Sequence, residues 1–419
     1  MNILEDLEFR GLLHQITDRE GLEKKLAAER VVLYCGFDPT ADSLHIGSLL
    51  PILTLRRFQQ AGHVPLALVG GGTGLIGDPS GKAAERTLNS ADVVDTWSQS
   101  IKAQLSRFLD FSAGVDNPAE LVNNYDWLGP LNVIEFLRDI GKNFTVNYML
   151  AKDSVDSRIA KGISFTEFSY MILQSYDFLK LNQTKQCSLQ IGGSDQWGNI
   201  TAGLELIGKT SDSRAYGMTL PLVIKSDGQK FGKTEGGAIW LDAAKTSPYQ
   251  FYQFWVNTDD NDVIRFLKYF TFVGREEIER LELEVKEQPE KREAQKLLAR
   301  EVTRLVHGED ALQSAINITQ ALFSGHIAEL TQQEIEEAFK DAPSTVLEQA
   351  DLPLIDLLVA VKAAPSKRQA RTDIESGAVS VNGVRTTQLD AKANEFGTLG
   401  GSYLIIRRGK KNYYLVRFA

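Results

Sequence analysis

Two short apolar runs in the first seventy residues predict buried strands. Residues 31–37 and 64–70 are mostly apolar and end at or next to a glycine, which is typical of strands that are covered on both faces. Residues 48–61, between them, have the apolar spacing of a helix. Strand, helix and strand make one βαβ unit. We therefore predict that the N-terminal half is α/β, with a Rossmann-like, doubly wound parallel sheet.

Further periodic segments extend this pattern as far as residue 225. Helical spacing recurs at 90–111, 131–142 and 166–180. Short apolar runs at 186–191 and 217–224 predict additional strands.

The second half of the chain changes character twice. Residues 247–340 have helical spacing and many charges, whereas the stretch around Pro343 has no period and predicts a linker. After it, a short basic helix, a strand and turn at 379–383 and a hairpin over 403–418 predict a small α+β unit. The predicted domains are a sheet-based domain (1–225), a loop region (226–246), an α-helical domain (247–340), a linker (341–352) and a small α+β domain (353–419).

Composition limits the classes of function. Two cysteines are too few for a disulfide framework, so we expect a cytoplasmic, reducing environment. The N-terminus lacks the pattern of a signal peptide, and no apolar run is long enough to span a bilayer, so no membrane association is expected. The five histidines are scattered, and we expect no protein-bound metal site.

Charge is distributed unevenly along the chain. The net charge is -9. Residues 352–419 nevertheless carry 11 Lys and Arg against 5 Asp and Glu, whereas the other 351 residues carry 35 against 50. A basic tail on an acidic body predicts that the tail contacts a polyanion such as a nucleic acid.

Residues 72–77 (Gly-Thr-Gly-Leu-Ile-Gly) match the GxGxxG pattern of dinucleotide-binding proteins. The match follows a predicted strand, but Asp78 and Pro79 continue it as a turn and not as a helix. A tight turn at a strand end is therefore favoured over a dinucleotide site. Ligands of such sheets bind at the carboxyl ends of strands, so Asp78 and Lys82 remain candidate site residues.

Two other segments have the composition of phosphate clamps. His45 and Gly47 stand at a predicted helix start, where backbone N–H groups favour phosphate. Far downstream, Lys230 and Lys233 flank a glycine and predict a mobile cationic loop, although an ordinary solvated loop is the alternative. Neither segment supplies a nucleophile, which predicts that ATP itself is attacked.

Three polar residues share one face of the helix predicted over 166–180. Tyr170, Gln174 and Asp177 lie at positions i, i+4 and i+7 in an otherwise apolar stretch. An inward polar stripe of this kind predicts a pocket for a polar small molecule. Asp195 and Gln196 follow a predicted strand and can bind hydroxyl or amine groups, although an ordinary polar loop is the alternative.

These stretches match, in order, the motifs of one enzyme family. The matching segments are 34–47, which ends in His45-Ile46-Gly47, then 74–80, 164–170, 190–199 and the Lys-Phe-Gly-Lys-Thr run at 230–234. Together they resemble bacterial tyrosyl-tRNA synthetases, which are class I aminoacyl-tRNA synthetases. Segments 365–371 and 381–383 resemble the S4 RNA-binding fold, so the tail is expected to be an S4-like domain.

The resemblance implies a reaction in two steps. The carboxylate of L-tyrosine attacks the α-phosphate of ATP, which is accompanied by Mg²⁺, and gives tyrosyl-adenylate and pyrophosphate. The tyrosyl group then passes to the terminal adenosine of tRNA(Tyr). The resemblance also implies a homodimer, a mobile KMSKS-type loop in 226–246 and an anticodon-side role for 247–340.

Roles for individual residues follow from the same resemblance. The implied tyrosine-binding residues are Tyr34, Asp78, Tyr170, Gln174, Asp177 and Gln196. The implied ATP-binding residues are Cys35, Gly36, Asp38, Gly47, Ser48, Gly192, Asp195 and Lys233. The implied catalytic residues, which act on the phosphates, are Thr40, His45, Lys82, Arg86, Lys230, Lys233 and Thr234. The implied tRNA-binding residues are Lys367, Arg368, Arg371, Arg407, Arg408, Lys410 and Lys411.

One position departs from the family pattern. Ser48 stands where the family's HIGH motif has its second histidine, and serine can donate a hydrogen bond but cannot be cationic. Two alternatives remain open at this point. One is a dinucleotide-dependent oxidoreductase, based on residues 72–77, and the other is an RNA-binding protein with an inactive synthetase-like body, based on Ser48 and the basic tail.

Overall fold

The structure, a computed structural model, describes residues 2–80, 87–159, 162–228, 231–234, 237–340, 342–348, 351–409 and 412–418. The chain divides into a first unit, Met1–Thr246 with Asn257–Val302, and a second unit, Ser247–Val256 with Thr303–Ala419. The helices predicted over 247–340 are present, but they are shared between the two units.

α-Helices are the most abundant regular element of the described chain. Those before residue 211 are α1 (Ile3–Phe9), α2 (Arg19–Ala28), α3 (Ile46–Gln60), α4 (Ala91–Leu105), α5 (Tyr125–Leu128), α6 (Val133–Glu135), α7 (Val146–Leu150), α8 (Asp153–Ile159), α9 (Phe165–Lys185) and α10 (Trp197–Thr210). Those that follow are α11 (Pro248–Val256), α12 (Asp260–Phe270), α13 (Arg275–Glu287), α14 (Glu293–His307), α15 (Glu309–Ser324), α16 (Gln332–Ala338), α17 (Leu354–Ala360) and α18 (Lys367–Glu375).

A mixed sheet forms the centre of the first unit. Its strands are β1 (Gln15–Ile16), β2 (Val32–Phe37), β3 (Val64–Val69), β4 (Glu120–Asn123), β5 (Cys187–Gly193) and β6 (Tyr216–Leu220), in the order β1-β6-β5-β2-β3-β4. All neighbours are parallel except β1, which is antiparallel to β6. The predicted strands at 31–37 and 64–70 are confirmed as β2 and β3, and the chain reverses its direction of winding between β2 and β5.

Two helices that begin near this reversal are fixed by their first residues. His45 caps α3 because its imidazole accepts a hydrogen bond from the backbone N–H of Gly47. The hydroxyl of Ser164 caps α9 by accepting from the N–H of Glu167. The turn predicted at 72–77 is confirmed, because Thr73–Leu75 form one turn of 3-10 helix and the described residues that follow, 76–80, are not α-helical.

A second sheet lies in the second unit, with both faces covered by helices. On one face, Leu404, Ile406 and Val416 pack with residues of α17 and α18. On the other face, Tyr403, Ile405 and Leu415 pack with residues of α15 and α16. Its strands are β9 (Ser344–Leu347), β10 (Val379–Val381), β11 (Val384–Arg385), β12 (Tyr403–Arg408) and β13 (Asn412–Phe418), in the order β11-β10-β12-β13-β9.

Two short stretches differ from the sequence prediction. The linker predicted at 341–352 contains β9, which pairs in parallel with β13 at the sheet edge. Its side chains are exposed or half-buried, so the segment has no alternating apolar pattern to reveal a strand. The helix predicted over 131–142 is broken into α6, a π-helical stretch at Phe136–Ile140 and one 3-10 turn.

Candidate active site

A cavity of about 680 Å³ opens at the carboxyl ends of the central parallel strands of the first unit. This is the position at which doubly wound sheets bind ligands. Most of the predicted site residues in the described part of the first unit converge there from β2, α3, α9, β5 and the turns after β3 and β5. Those that line the cavity are Tyr34, Cys35, Gly36, Asp38, Thr40, His45, Gly47, Ser48, Asp78, Tyr170, Gln174, Asp177, Gly192, Asp195 and Gln196.

Tyr34 from β2 and Asp177 from α9 supply two buried oxygen-bearing groups. The Tyr34 hydroxyl has no hydrogen-bond partner among the described residues. Asp177 accepts hydrogen bonds from the side chains of Asn124 at 2.9 Å and Trp127 at 2.7 Å. Burial raises the pKa of Asp177 to about 8, although those two donors act in the opposite direction. Both residues line the cavity, so their oxygen atoms are placed to pair with a hydroxyl of a bound molecule.

A second cluster of polar side chains in the cavity surrounds the carboxylates of Asp38 and Asp78. The Tyr170 hydroxyl donates to one oxygen of Asp38 at 2.7 Å, and the Thr73 hydroxyl donates to the other at 2.7 Å. Gln196 donates its amide to Asp78 at 2.8 Å. Burial raises the pKa of Tyr170 well above its usual range, so the phenol stays a neutral donor. Acceptors held in this way suit a ligand ammonium group.

The start of α3 forms the wall of the cavity that carries His45, Gly47 and Ser48. The Nδ1 atom of His45 lies 3.0 Å from the backbone nitrogen of Gly47, and the N–H of Ser48 donates to the His45 carbonyl at 2.8 Å. A Cβ atom at Gly47 would stand 2.7 Å from the His45 ring, so glycine is required for this cap. A helix N-terminus with an imidazole and a hydroxyl is suited to bind phosphate oxygens.

Cys35 lines the cavity from β2, and its thiol lies 3.8 Å from the carbonyl oxygen of Gly36. Burial raises its pKa to about 12, so the thiol is neutral near pH 7 and is not an activated nucleophile. Gly192, from β5, passes close to the side chain of Gln196, because a Cβ on Gly192 would meet that side chain at 3.1 Å. These groups can contact a ligand hydroxyl but offer no covalent chemistry.

The structure describes only part of the cationic loop. The backbone of Lys233 and Thr234 forms β7 (Lys233–Thr234), which pairs with β8 (Gly237–Ala238). Gly232 has a φ of 79° and lies against Ile46 at the start of α3, where an added Cβ would meet Ile46 at 2.9 Å. The predicted residues Lys82, Arg86 and Lys230 lie outside the described residues, as do the side chains of Lys233 and Thr234.

Sequence reasoning missed several groups that organise the site. Asn124 donates to both Asp177 and Thr73 and accepts from the N–H of Gly72 at 2.8 Å. Trp127, three residues further along the chain, donates the other hydrogen bond to Asp177. Gln190 lines the cavity from the buried strand β5, and its carbonyl oxygen has no partner among the described residues. A glutamine inside an apolar strand was a usable signal, whereas Asn124 follows the short strand β4, which the pattern did not predict.

The basic residues predicted in the tail are divided between the two faces of the second sheet. Lys367, Arg368 and Arg371 are exposed on α18, and Lys367 also pairs with Asp356 at 2.7 Å. Arg408, on the same face, is paired with Asp373 at 2.7 Å and also donates to the Ala363 carbonyl, so it has a structural role within the domain. Arg407 alternates with it along β12 and therefore points to the opposite face. Lys410 and Lys411 lie outside the described residues.

Within the described ranges, three or more His, Cys, Asp or Glu side chains are nowhere grouped as a metal site would require. None of the helices in the described part of the chain is both long and apolar enough to cross a bilayer.

Comparison with known proteins gives a consistent result over the whole chain. Residues 26–324 match the family model for class I tRNA synthetases (W and Y), and residues 334–416 match the model for the tyrosine–tRNA ligase SYY-like C-terminal domain. The tyrosine–tRNA ligase of Geobacillus kaustophilus is 66% identical over 420 residues, which are 100% of this chain and 100% of that one. Tyrosine–tRNA ligase 1 of Bacillus cereus is 67% identical over 419 residues, again 100% of each chain.

A solved structure agrees with these matches. A C-terminally truncated mitochondrial tyrosyl-tRNA synthetase of Aspergillus nidulans aligns with a TM-score of 0.70 and 33% identity, over 77% of this chain and 94% of that one. Family models, full-length relatives and fold therefore lead to one assignment. The chain belongs to the tyrosine–tRNA ligase family of class I aminoacyl-tRNA synthetases.

Proposed function

We propose that this chain activates L-tyrosine with ATP and transfers the tyrosyl group to the terminal adenosine of tRNA(Tyr). The observation that carries the proposal is the single cavity that gathers a buried hydroxyl-binding pair, an ammonium-binding carboxylate group and a phosphate-binding helix start. In this proposal, these three groups together are sufficient to hold tyrosine beside the phosphates of ATP.

Three groups of the substrate tyrosine are bound separately: its phenol hydroxyl, its ammonium group and its carboxylate. Tyr34 and Asp177 bind the phenol hydroxyl in this proposal, while Tyr170, Gln174 and Asp78 bind the ammonium group. Gln196 faces the substrate carboxylate. The buried, unpartnered Tyr34 hydroxyl and Gln174 carbonyl support this assignment, because each would gain a hydrogen bond from the ligand.

In the activation step, a carboxylate oxygen of tyrosine attacks the α-phosphorus of ATP. The bond from that phosphorus to the bridging oxygen breaks, and pyrophosphate leaves. Cys35, Gly192 and Asp195 hold the ribose, with Gly36, Asp38, Gly47 and Ser48 along the nucleotide. The proposed phosphate contacts are Thr40, His45, Lys82, Arg86, Lys230, Lys233 and Thr234.

Rate enhancement in this proposal comes from positioning and from stabilisation of charge on the departing pyrophosphate. No side chain is required as a covalent nucleophile, which agrees with the neutral Cys35 thiol. Mg²⁺ enters with ATP in this proposal, bound by the phosphates, whose oxygen atoms are its preferred ligands.

In the transfer step, the tail binds tRNA(Tyr). The exposed residues Lys367, Arg368 and Arg371 support this role, and we propose Arg407, Lys410 and Lys411 as further contacts. Arg408 is the weaker candidate, because its side chain is only 30% exposed and is paired with Asp373, whereas Lys367, although paired with Asp356, is 65% exposed. In domain terms, 1–225 is catalytic, 226–246 is a mobile loop region, 247–340 faces the anticodon, and 353–419, after the linker 341–352, is the RNA-binding domain.

We also propose a cytoplasmic homodimer. Apolar side chains are exposed along the stretch from α6 to the start of α9, including Val133 at 64%, Ile134 at 64%, Val146 at 62% and Phe165 at 76%. Apolar surface of this kind on a globular domain is typical of a protein–protein interface. Sedimentation equilibrium of the parent and of Phe165→Asp tests this association.

Tyrosine-dependent ATP–pyrophosphate exchange tests the activation step directly. Label should pass from pyrophosphate into ATP only when tyrosine is present. Exchange with no dependence on tyrosine would contradict the assignment. RNA binding without exchange would instead favour an inactive RNA-binding protein, and NAD binding without exchange would favour an oxidoreductase.

A further inference from the structure

Helix α12 contacts the chain segment that leads into the cationic loop. Asp262, Phe266 and Phe270 are spaced four residues apart, so they share one face of this helix. All three are buried. This face contacts the segment at two points, which lie at Ser226 and at Phe231.

The first point is the carboxylate of Asp262, which is 1% exposed. It accepts two hydrogen bonds from the backbone N–H of Ser226, at 3.1 and 3.0 Å, and one from the Ser226 hydroxyl at 3.0 Å. Arg265 donates to the same carboxylate and, at 2.6 Å, to the carbonyl of Ile224. A buried carboxylate with three donors, one of them shared between its two oxygens, holds the backbone at 224–226 in one place.

The second point is aromatic. The ring of Phe231 stacks on Phe270 with centroids 5.2 Å apart, and meets the edge of Phe266 at 5.0 Å. The next residue, Gly232, lies against Ile46 at the start of α3 and accepts a hydrogen bond from Ile239 at 3.0 Å. That hydrogen bond closes the hairpin in which Lys233 pairs with Ala238.

The far end of α12 is attached to α3. Arg10 donates to the carbonyls of Lys268, Thr271 and Val273, and Arg57, which belongs to α3, also donates to Thr271. Cations at the carboxyl end of a helix are favoured by its dipole. One helix thus connects the loop segment to the same α3 whose first turn carries His45.

We propose that Asp262, Phe266 and Phe270 are positioning residues for the activation step. They fix the base of the hairpin so that Lys233 stands opposite the start of α3, where pyrophosphate departs. None of the three lines the cavity. The inference rests on the proposed role of Lys233, and it adds that this role depends on α12.

The test is a double-mutant cycle in tyrosine-dependent ATP–pyrophosphate exchange. Asp262→Ala should lower kcat by about tenfold, as expected for the loss of hydrogen bonds to a charged group, and should change KM for tyrosine by less than about twofold. In a Lys233→Ala background, Asp262→Ala should lower kcat by less than about twofold, because the group that it positions is already gone. Asp262→Asn, which keeps one acceptor oxygen, should recover part of the rate.

Asp259→Ala is the matched control. Asp259 caps α12 by accepting from the N–H of Asn261, and its side chain forms no hydrogen bond with the described residues of the loop segment. It should lower the melting temperature without lowering kcat. If Asp262→Ala does not fold, Ser226→Ala removes one hydrogen bond from an exposed residue and permits the same cycle, with an expected effect of about threefold.

The outcomes are separable. Equal losses from Asp262→Ala in both backgrounds would overturn the inference and leave the role of Lys233 intact. A parent-like rate for Lys233→Ala alone would overturn the proposed role of Lys233, and the inference with it. A parallel loss of kcat in Asp259→Ala would show that α12 acts only through stability.

Discussion

Tyr34→Phe tests whether the buried hydroxyl in the cavity recognises the phenol of tyrosine. The Tyr34 side chain is 1% exposed, and its hydroxyl has no hydrogen-bond partner among the described residues. A buried hydroxyl without a partner destabilises the folded state, so its removal should leave the protein as stable as the parent or more stable. Any benefit of the hydroxyl should therefore appear only when a ligand supplies the partner.

The size of the effect follows from one neutral hydrogen bond. Such a bond contributes about 0.5–1.5 kcal/mol, which corresponds to a fall of about two- to twelvefold in kcat/KM for tyrosine. Phenylalanine has no phenol hydroxyl, so its kcat/KM should not fall. The ratio of the two values, which measures discrimination, should therefore fall by the same two- to twelvefold, or about one order of magnitude at most.

Exchange kinetics with both amino acids, together with thermal melting, measure these quantities. Tyr216→Phe is a suitable control, because Tyr216 is also a buried tyrosine of the central sheet but does not line the cavity. The control should leave discrimination unchanged. If Tyr34→Phe lowers kcat/KM for both amino acids by one factor, or leaves the ratio unchanged, Tyr34 does not contact the phenol.

Three further predictions follow from the same structure. Burial raises the pKa of Asp177 to about 8, whereas in the unfolded chain this carboxyl releases its proton near pH 4. The folded parent therefore binds one more proton than the unfolded chain between these values, and its free energy of unfolding should fall as the pH rises from about 4 to about 8. Asp177→Asn has no ionisable group at this position, so its melting temperature relative to that of the parent should rise over that pH range. A difference in melting temperature that does not change with pH would contradict the raised pKa. If Ser48 needs only to donate a hydrogen bond, Ser48→Ala should slow exchange by about tenfold while Ser48→His is tolerated; parent-like rates for both would mean that position 48 takes no part. Arg368→Gln with Arg371→Gln should weaken tRNA binding and flatten its dependence on salt, while exchange is unchanged, because Lys and Arg contacts to phosphate release counterions; an unaltered salt slope in filter binding would remove α18 from the RNA contact.

The parts of the fold that could be predicted are those in which one pattern determines one element. β2 and β3 are apolar because both faces of the sheet are covered, and the sequence shows this directly. β9 escaped prediction because an edge strand with exposed side chains exists only through its pairing with β13, which lies about seventy residues further along the chain. Likewise, the division of 247–340 between two units depends on tertiary packing and leaves no local sign.

The site residues that could be predicted are those whose spacing along one helix determines where they lie. Tyr170, Gln174 and Asp177 line one cavity because helical spacing places them on one face. Asn124 and Trp127 could not be found in this way, because they reach Asp177 from a different segment, about fifty residues away in sequence. Arg408 was predicted as an RNA contact, but it is paired with Asp373. A run of basic residues in the sequence does not reveal which of them is already paired within the domain.

The second sheet has apolar contacts on both faces, and this affects how the tail can be manipulated. A chain that ended before β12 would leave Ile318, Phe339 and their neighbours in α15 and α16 without their covering layer. Such a protein should expose apolar surface and tend to aggregate, so a loss of tRNA charging after deletion would not isolate RNA binding. Transplanting the tail onto another protein would, for the same reason, require α15 and α16 to be moved with it. Only surface substitutions separate its affinity for RNA from its part in folding.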